Sequence, residues 1–363
     1  MASSRGAGVL PPGGPLRSRA GPLALAVLAA GLLYVLWQVA DVLLIIFAGV
    51  LLALFLRGLA DLLGAHSRLS RGWSLAVVLL GLIGVAAGGA WALSGDIAAQ
   101  VDQLAQDLPR ALRSLRETVE RYEWGRVLLS LTPEALGSER ALAQAPGIVS
   151  GTLGTTLGAL ANLVIVLFVG LYLAAESDLY ARGILRLVPP GRRRRAAEVL
   201  GALRHTLQWW LIGKVVVMAL VGVVTFVGLW LLGVPLALTL GLLAGLFDFI
   251  PYVGPVLGFV PAILLALTQD TTLALWVGGL YLLVQSVESY VFTPLVQRRA
   301  VTLAPALTIT CQVVLAVLFG PLGLLLATPL TAVAVVLVKL IYVEDVLGDR
   351  MDVQGARAED VAA

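Results

Sequence analysis

Residues 235–261, PLALTLGLLAGLFDFIPYVGPVLGFVP, limit what this chain can become. The stretch is apolar almost throughout. It carries one acid, Asp248, and then a helix-breaking cluster, Pro251-Tyr252-Val253-Gly254-Pro255. Proline removes a backbone donor and clashes with the preceding turn. In lipid, each backbone group so freed costs several kcal/mol unless protein or a lined cavity satisfies it. The segment is therefore a loop outside the membrane or a broken segment within it. The arms 235–249 and 256–267 hold about 15 and 12 residues. At about 1.5 Å per residue, neither crosses a ~30 Å hydrocarbon core comfortably. The pattern predicts a helical hairpin that enters the membrane, turns at Pro251–Pro255 and leaves on the side it entered.

The rest of the chain supports a membrane setting. It is 59% hydrophobic and only 13% charged, against about 25% charged for a soluble domain. Several runs of about 18 or more apolar residues predict an all-α polytopic membrane protein. Alternating ten-residue strands, which a β-barrel needs, are absent from the sequence. The single cysteine, Cys311, excludes an intrachain disulfide. No cluster of cysteine and histidine points to a metal, and no cofactor is expected. His66 and His205 are both read as solvated residues of arginine-containing loops.

In chain order, residues 1–22 form a basic, disordered tail with Arg5, Arg17 and Arg19. Scaffold spans follow over 23–94: 23–40, 42–56 ending at Arg57, and 73–93 with Trp73 and Trp91 near its ends. Residues 95–151 are the one sizeable soluble segment. Ile97, Val101, Leu104, Leu108, Leu112, Leu115, Val119 and Tyr122 recur three or four apart, the spacing of an amphipathic helix or helix pair, with a restart near Pro109. Its role is either a packed surface helix or, more sharply, a gate cover or subunit contact. Residues 152–175 make the fourth span. Residues 176–206 are basic, with the run Arg192–Arg195. Nothing aromatic beside that run points to nucleic acid, so membrane lipid is the expected neighbour. A span and the first hairpin occupy 207–267, a span and a second broken element occupy 271–343, and a tail closes the chain at 344–363. The total is about six full spans plus two broken or re-entrant hairpins, about eight membrane segments.

Arginine placement sets the expected orientation. The basic segments are the N-terminus, 57–71, 176–206, 298–299 and the C-terminal tail. Placing all of them in the cytoplasm satisfies every crossing, with both termini inside and 95–151 outside.

The chain also carries an internal echo. Pro235 and Pro251 are 16 residues apart, as are Pro305 and Pro321. PLALT (235–239) answers PALT (305–308), and the breaks are PYVG (251–254) and FGPLG (319–323). Each element follows one full span, and those spans run in opposite directions. The expectation is an inverted repeat of span plus hairpin. Two full crossings over 303–343 remain the alternative for the second element.

Candidate transport residues follow from polarity inside apolar runs. Between Val215 and Val287 the only charged side chains are Asp248 and Asp270. An acid within the membrane is costly and points to function, so Asp248 is a candidate for binding a sodium ion or a proton. Capping the second arm of the hairpin is the plain alternative. Gln285 and Glu288 sit three apart on one face, and Lys214 is the only cation inside its span, so Lys214 and Glu288 are expected to pair. Thr308 and Gln312 add neutral polar groups. The breaks at Pro251, Tyr252 and Gly254, and at Gly320, Pro321 and Gly323, expose backbone groups. Broken helix ends meeting near the midplane make a site for a small polar solute or ion.

The motifs DFIPYVGP (248–255), QSVESYVFTPLV (285–296), LAPALT (303–308) and FGPLGLLLATPL (319–330) resemble hallmarks of the autoinducer-2 exporter family of bacterial permeases. The resemblance covers roughly residues 20–350. It implies a transporter of the bacterial inner membrane that carries a small polar signal or, in some branches, sodium against protons. The expected function is a secondary transporter, alone or as a homo-oligomer. No Walker motif is present, and neither HExxH nor GxSxG appears, so neither direct ATP drive nor enzymatic catalysis is expected. A non-transporting membrane scaffold is the alternative of another class. A cysteine at Ser138, in a Cys311→Ser background, should react with an impermeant thiol reagent outside intact cells, and one at Ala196 should not. The reverse pattern would overturn the orientation.

Overall fold

The computed structural model of the protein describes residues 39–67, 70–120, 153–292 and 303–349, with Gly31, Tyr34 and Pro294. The expected tail at 1–22, most of the span at 23–40, residues 121–152 and Arg298-Arg299 lie outside the described residues. The chain divides into two compact units, 1–44 and 45–363, and apart from the first turn of α1 everything below lies in the second. Among the described residues all regular structure is helical, with no strand.

The first helices are longer than the sequence predicts. α1 is Ala40–His66. The expected stop at Arg57 is not a stop. Arg57 is buried and its Nε donates to Ser177 Oγ at 3.1 Å, because a long side chain can pack its stem inside while its head finds an acceptor. α2 is Arg71–Glu120, one helix of 50 residues that runs through the expected boundary at 94/95 and through Pro109. Ala, Leu, Arg and Glu on both sides favour the helix enough to carry it past one missing hydrogen bond. α3 is Leu153–Ala175, and it crosses α1 closely: a Cβ added at Gly49 would meet Val169 and one at Gly170 would meet Leu52.

α4, Ser177–Leu187, turns 85° away from α3. A short 3₁₀ turn, Pro190–Arg192, leads into α5, Arg193–Leu231. Much of the basic segment, expected to be helical, is the first part of a helix of 39 residues that runs on without a break into the expected span. His205 lies within it, its ring 6.3 Å from Trp209, and His66 ends α1, so neither is a loop histidine. No Gly or Pro falls between Arg193 and Leu200 to stop the helix forming there. Arg204 Nη2 holds Asp61 Oδ2 at 2.7 Å and ties α5 to α1.

Over the first predicted hairpin the chain forms two helices, α6, Ala237–Phe247, and α7, Val253–Gln269, with a break between them. A Cβ at Gly254 would strike the Phe247 carbonyl, and one at Gly258 would sit 3.0 Å from Ala244 Cα. Those pairings make the arms antiparallel. The break comes earlier than the sequence predicts, over 248–252. Val253, Gly254 and Pro255 open α7, where a missing N–H costs nothing because the first turn has no intrahelical partners. Tyr252 makes the turn at φ 67°, outside the comfortable range of a residue with a Cβ.

α6 packs on α5 through glycines. A Cβ at Gly245 would lie 2.7 Å from the Met218 carbonyl oxygen and 3.0 Å from Gly222 Cα, while one at Gly241 would meet Phe226. One end of this assembly is closed by Leu104 of α2, which joins Leu229, Leu240, Ala262, Leu265 and Val277 in one buried cluster. Thr239 Oγ1 donates to Gln100 Oε1 at 2.8 Å across the same contact. α8, Thr271–Val287, starts on Asp270, whose side chain accepts from the amides of Thr272 and Leu273, and ends in a π turn, Glu288–Phe292.

α9, Pro305–Leu337, is two arms and not one rod. Gly320 sits at φ 62°, ψ −147°, a backbone that essentially only glycine adopts. A Cβ at Gly323 would strike the Leu315 carbonyl, and Gln312 Nε2 lies 3.5 Å from Thr328 Oγ1. In a straight helix, residues 312 and 328 would stand about 24 Å apart. The arms 305–319 and 321–337 therefore fold back on each other. A π turn, Val338–Glu344, completes the described chain, and Arg195 of α5 binds both Glu344 and Asp345 there.

By length and composition, four described helices can cross a membrane: Ala40–Ala65, Pro190–Leu231, Thr271–Phe292 and Pro305–Glu344. Leu160–Ala175 and Ser177–Leu187, bent by 85°, pass the same test only when taken together. The fold-back at Gly320 shows that the last of the four is long only in sequence. Gly245→Val should lower stability by about 1–3 kcal/mol, the usual cost of overpacking, seen as a drop in the unfolding midpoint of the purified protein. Gly278→Ala, where an added Cβ meets nothing within 4 Å, should leave it equal or higher.

Candidate functional site

The turn of the first hairpin places Asp248 beside the middle of α5. Its carboxylate is 1% exposed. Oδ2 accepts from Lys214 Nζ at 2.8 Å, and the same ammonium stands 3.6 Å from Glu288 Oε1. Gln285 Nε2 donates to Glu288 Oε2 at 3.2 Å and reaches Ser289 Oγ at 3.4 Å. Three elements thus each contribute one charged group: Lys214 from α5, Asp248 from the hairpin turn, Glu288 from the end of α8. The expected pairing of Lys214 with Glu288 is the longer of the two contacts. The shorter one, to Asp248, joins residues 34 apart in sequence. It follows from the antiparallel packing of α6 on α5, which carries the hairpin tip back to the level of Lys214.

The cluster is not charge-balanced. One ammonium faces two carboxyl groups. Asp248 Oδ1 has no donor among the described residues, and neither has Gln312 Oε1. A buried carboxylate oxygen without a donor is costly, so it is a natural position for a cation or a proton. Among the described residues Asp248 accepts no backbone N–H, and α7 begins without a side-chain cap, so no hydrogen bond there stands behind the capping alternative. The open side of Asp248 and Glu288 borders a small cleft. Thr225, Tyr281 and Gln285 line it with Val221, Ala244, Pro255 and Val284. Thr225 is fully buried, and its Oγ1 has no partner among the described residues. Tyr281 donates its hydroxyl to the Gly258 carbonyl at 3.0 Å and packs edge-on against Phe259. This leaves a polar strip in an otherwise apolar wall.

The second hairpin meets the first at its turn. Gln312 Nε2 donates to the Pro251 carbonyl at 3.0 Å and also approaches Thr328 Oγ1. Pro251 and Gln312, both expected at the site, are therefore linked, and Thr328 joins them without having been singled out by sequence. Other candidates are placed differently. Thr308 is buried and returns its hydroxyl to the Ala304 carbonyl at 3.3 Å, the usual local bond of a helical threonine. Tyr252 is about half exposed. Gly254 and Gly323 lie at close backbone contacts, and Gly320, followed by Pro321, makes the second turn.

Sequence reading missed Thr225 and Tyr281. Thr225 is the lone hydroxyl in the run MALVGVVTFVGLW, but helical threonines usually satisfy themselves on the preceding turn, so the signal is weak. The Lys214–Asp248 pair was readable in principle, since two isolated opposite charges in apolar runs seldom stay apart.

The profile of the AI-2E family transporters matches residues 25–342. The chain belongs to this family. Relatives are named in the same terms. "Putative transport protein YueF" of Bacillus subtilis (strain 168) is 26% identical over 283 residues, 74% of this chain and 76% of the relative. "Putative transport protein YrrI" of the same organism is 26% identical over 202 residues, 54% of this chain and 57% of the relative. "Putative transport protein MT0215" of Mycobacterium tuberculosis (strain CDC 1551 / Oshkosh) is 38% identical over 106 residues, 29% of each chain. Family and relatives point to transport. With its long apolar helices, this AI-2E family member is a multi-pass membrane protein.

Lys214→Met should cost about 3–5 kcal/mol, the scale for stranding a buried charge. Adding Asp248→Asn should recover much of that loss. Unfolding of the three purified variants checks it, and a single-variant cost under about 1 kcal/mol would mean that the pair is solvated.

Proposed function

We propose that this protein is a secondary transporter whose coupling ion or small polar solute binds at the Lys214–Asp248–Glu288 cluster. The observation that carries the reading is Asp248 Oδ1, a buried carboxylate oxygen with no donor among the described residues, beside a second carboxyl and a polar cleft. A permanent structural pair would be expected to satisfy both oxygens. An ion-binding group leaves one for its ligand. Gln285 and Thr225 would add neutral oxygens, and the linked hairpin turns at Pro251, Tyr252, Gly254 and Gln312, with Gly320, Pro321 and Gly323, would form the surrounding frame. No metal other than sodium is implied.

Arm length supports re-entry. α6 and α7 are 11 and 17 residues, about 16 and 26 Å, both short of a ~30 Å core. The first repeat would be α5 with α6 and α7, and the second α8 with the two arms of α9. The 16-residue spacing of their prolines and the Gly- or Tyr-mediated fold-back in each support inverted copies. Access would alternate as the hairpin pair moves against α1, α2 and α3. The setting is the bacterial plasma membrane with both termini in the cytoplasm. An autoinducer-2-like signal is the solute class the family name supports. Exchange of sodium for protons is the second reading, favoured by two carboxyls sharing one ammonium.

The test is flux in proteoliposomes under imposed sodium and proton gradients, across a panel of small polar solutes. Asp248→Asn keeps the size of the side chain and removes its charge. It should abolish gradient-driven flux while the protein stays folded, because Lys214 keeps Glu288. Normal flux in that variant would remove Asp248 from the mechanism, and a protein without flux under any gradient would favour a scaffold.

A further inference from the structure

α4 is the one helix whose amphipathic faces the transport reading does not use. α3 alone, at 23 residues, is about 35 Å long and fills a bilayer. The 85° bend after Ala175 therefore sends α4 along the membrane plane, not through it. Its sequence, SDLYARGILRL, splits by face. Ser177, Ala181 and Leu185, four apart, are half-buried against the protein. Leu179, Tyr180, Ile184 and Leu187 fall together on another face and are 55%, 43%, 53% and 87% exposed. No described element covers that apolar face. Three charges, Asp178, Arg182 and Arg186, rule α4 out as the continuation of a span.

The exposed charges beside it are mostly basic. Arg182 and Arg186 on α4, Arg192 on the 3₁₀ turn and Arg193 and Arg194 at the start of α5 are all exposed. Of the acids nearby, Asp178 lies 3.6 Å from Arg71, Glu198 pairs with Arg195 and Arg194, and Glu176 stands exposed just before α4. Arg182 and Arg193 each turn Nε onto a carbonyl of their own segment, Asp178 and Val188, which fixes the guanidinium. An apolar face, an adjoining basic edge and an orientation across the end of a spanning helix are together the requirements of an interfacial helix on an anionic surface.

We propose that α4 is an in-plane membrane anchor: Leu179, Tyr180, Ile184 and Leu187 enter the acyl boundary, and Arg182, Arg186 and Arg192 bind the headgroups of anionic phospholipid. The anchor stands whatever the central cluster binds. It would hold the base of α5, and with it Lys214, at a fixed depth while the hairpins move.

Two measurements on the full chain test it. Spin labels placed singly at Leu179, Ile184 and Leu187, in a Cys311→Ser background, are read in bilayers of phosphatidylcholine and phosphatidylglycerol. Collisions with oxygen, which partitions into lipid, should exceed those with a water-soluble nickel chelate, and a label at Asp178 should show the reverse. Binding of short-chain phosphatidylglycerol to the purified protein should be at least about 10-fold weaker in the Arg182→Gln/Arg186→Gln/Arg192→Gln variant, given that each basic residue near an anionic surface contributes about a factor of five. Phosphatidylcholine and inorganic phosphate should not compete. Nickel-accessible labels overturn the proposal, as does label-to-label coupling between copies, which would assign the face to a second subunit. Equal phosphatidylglycerol binding by the variant, or competition by inorganic phosphate, overturns it too.

Discussion

Two helices of this protein turn back inside an apolar bundle, at 248–252 and at Gly320, and each turn frees backbone groups that water does not easily reach. Much of the central architecture answers that constraint. The Pro251 carbonyl takes its hydrogen bond from Gln312, so the first turn is closed by the second hairpin. Pro255 falls in the first turn of α7 and Pro321 at the start of the second arm of α9, where a missing N–H leaves nothing unsatisfied. Glycines at 222, 241 and 245 let α6 approach α5 closely enough to bury the hairpin on a single helix. A larger residue at any of them would lift the turn away from Lys214.

Charge then has one place to go. The carboxylate at the end of α6 sits where the helix dipole is unfavourable for an anion. Lys214 offsets this at 2.8 Å, and Glu288 completes a cluster with more acid than base. The Gln312 bond to the Pro251 carbonyl ties the two turns together beside that cluster. At the other end of α5, Arg204 on Asp61 and Arg195 on Glu344 and Asp345 fix the base of that helix.

Much of this was legible in the sequence. The proline and glycine clusters located both turns: a lone Pro109 is carried within α2, whereas clustered breakers with a positive-φ residue end the helix. Asp248 stood out because an isolated acid in an apolar run has few structural excuses. Helix ends were not legible. Arg57, His66 and His205 read as loop residues because charge usually marks the surface, yet each lies in a helix. The soluble-looking periodicity after Asp96 continues the preceding helix without a break as far as Glu120. Polarity reports the solvent a side chain meets, whereas the backbone hydrogen bonds that continue a helix are indifferent to it.

By itself, then, the sequence determined that the chain belongs in a membrane, where it breaks, and which acid lies at a break, because these depend on the residue and its immediate neighbours. Tertiary structure decided that Asp248 meets Lys214, that Glu288 is the second and more distant partner, and that Gln312 reaches Pro251. Those contacts join residues tens of positions apart. They depend on the antiparallel sense of each hairpin and on the depth to which α6 descends along α5, and glycines that leave no room for a Cβ at that contact set the depth.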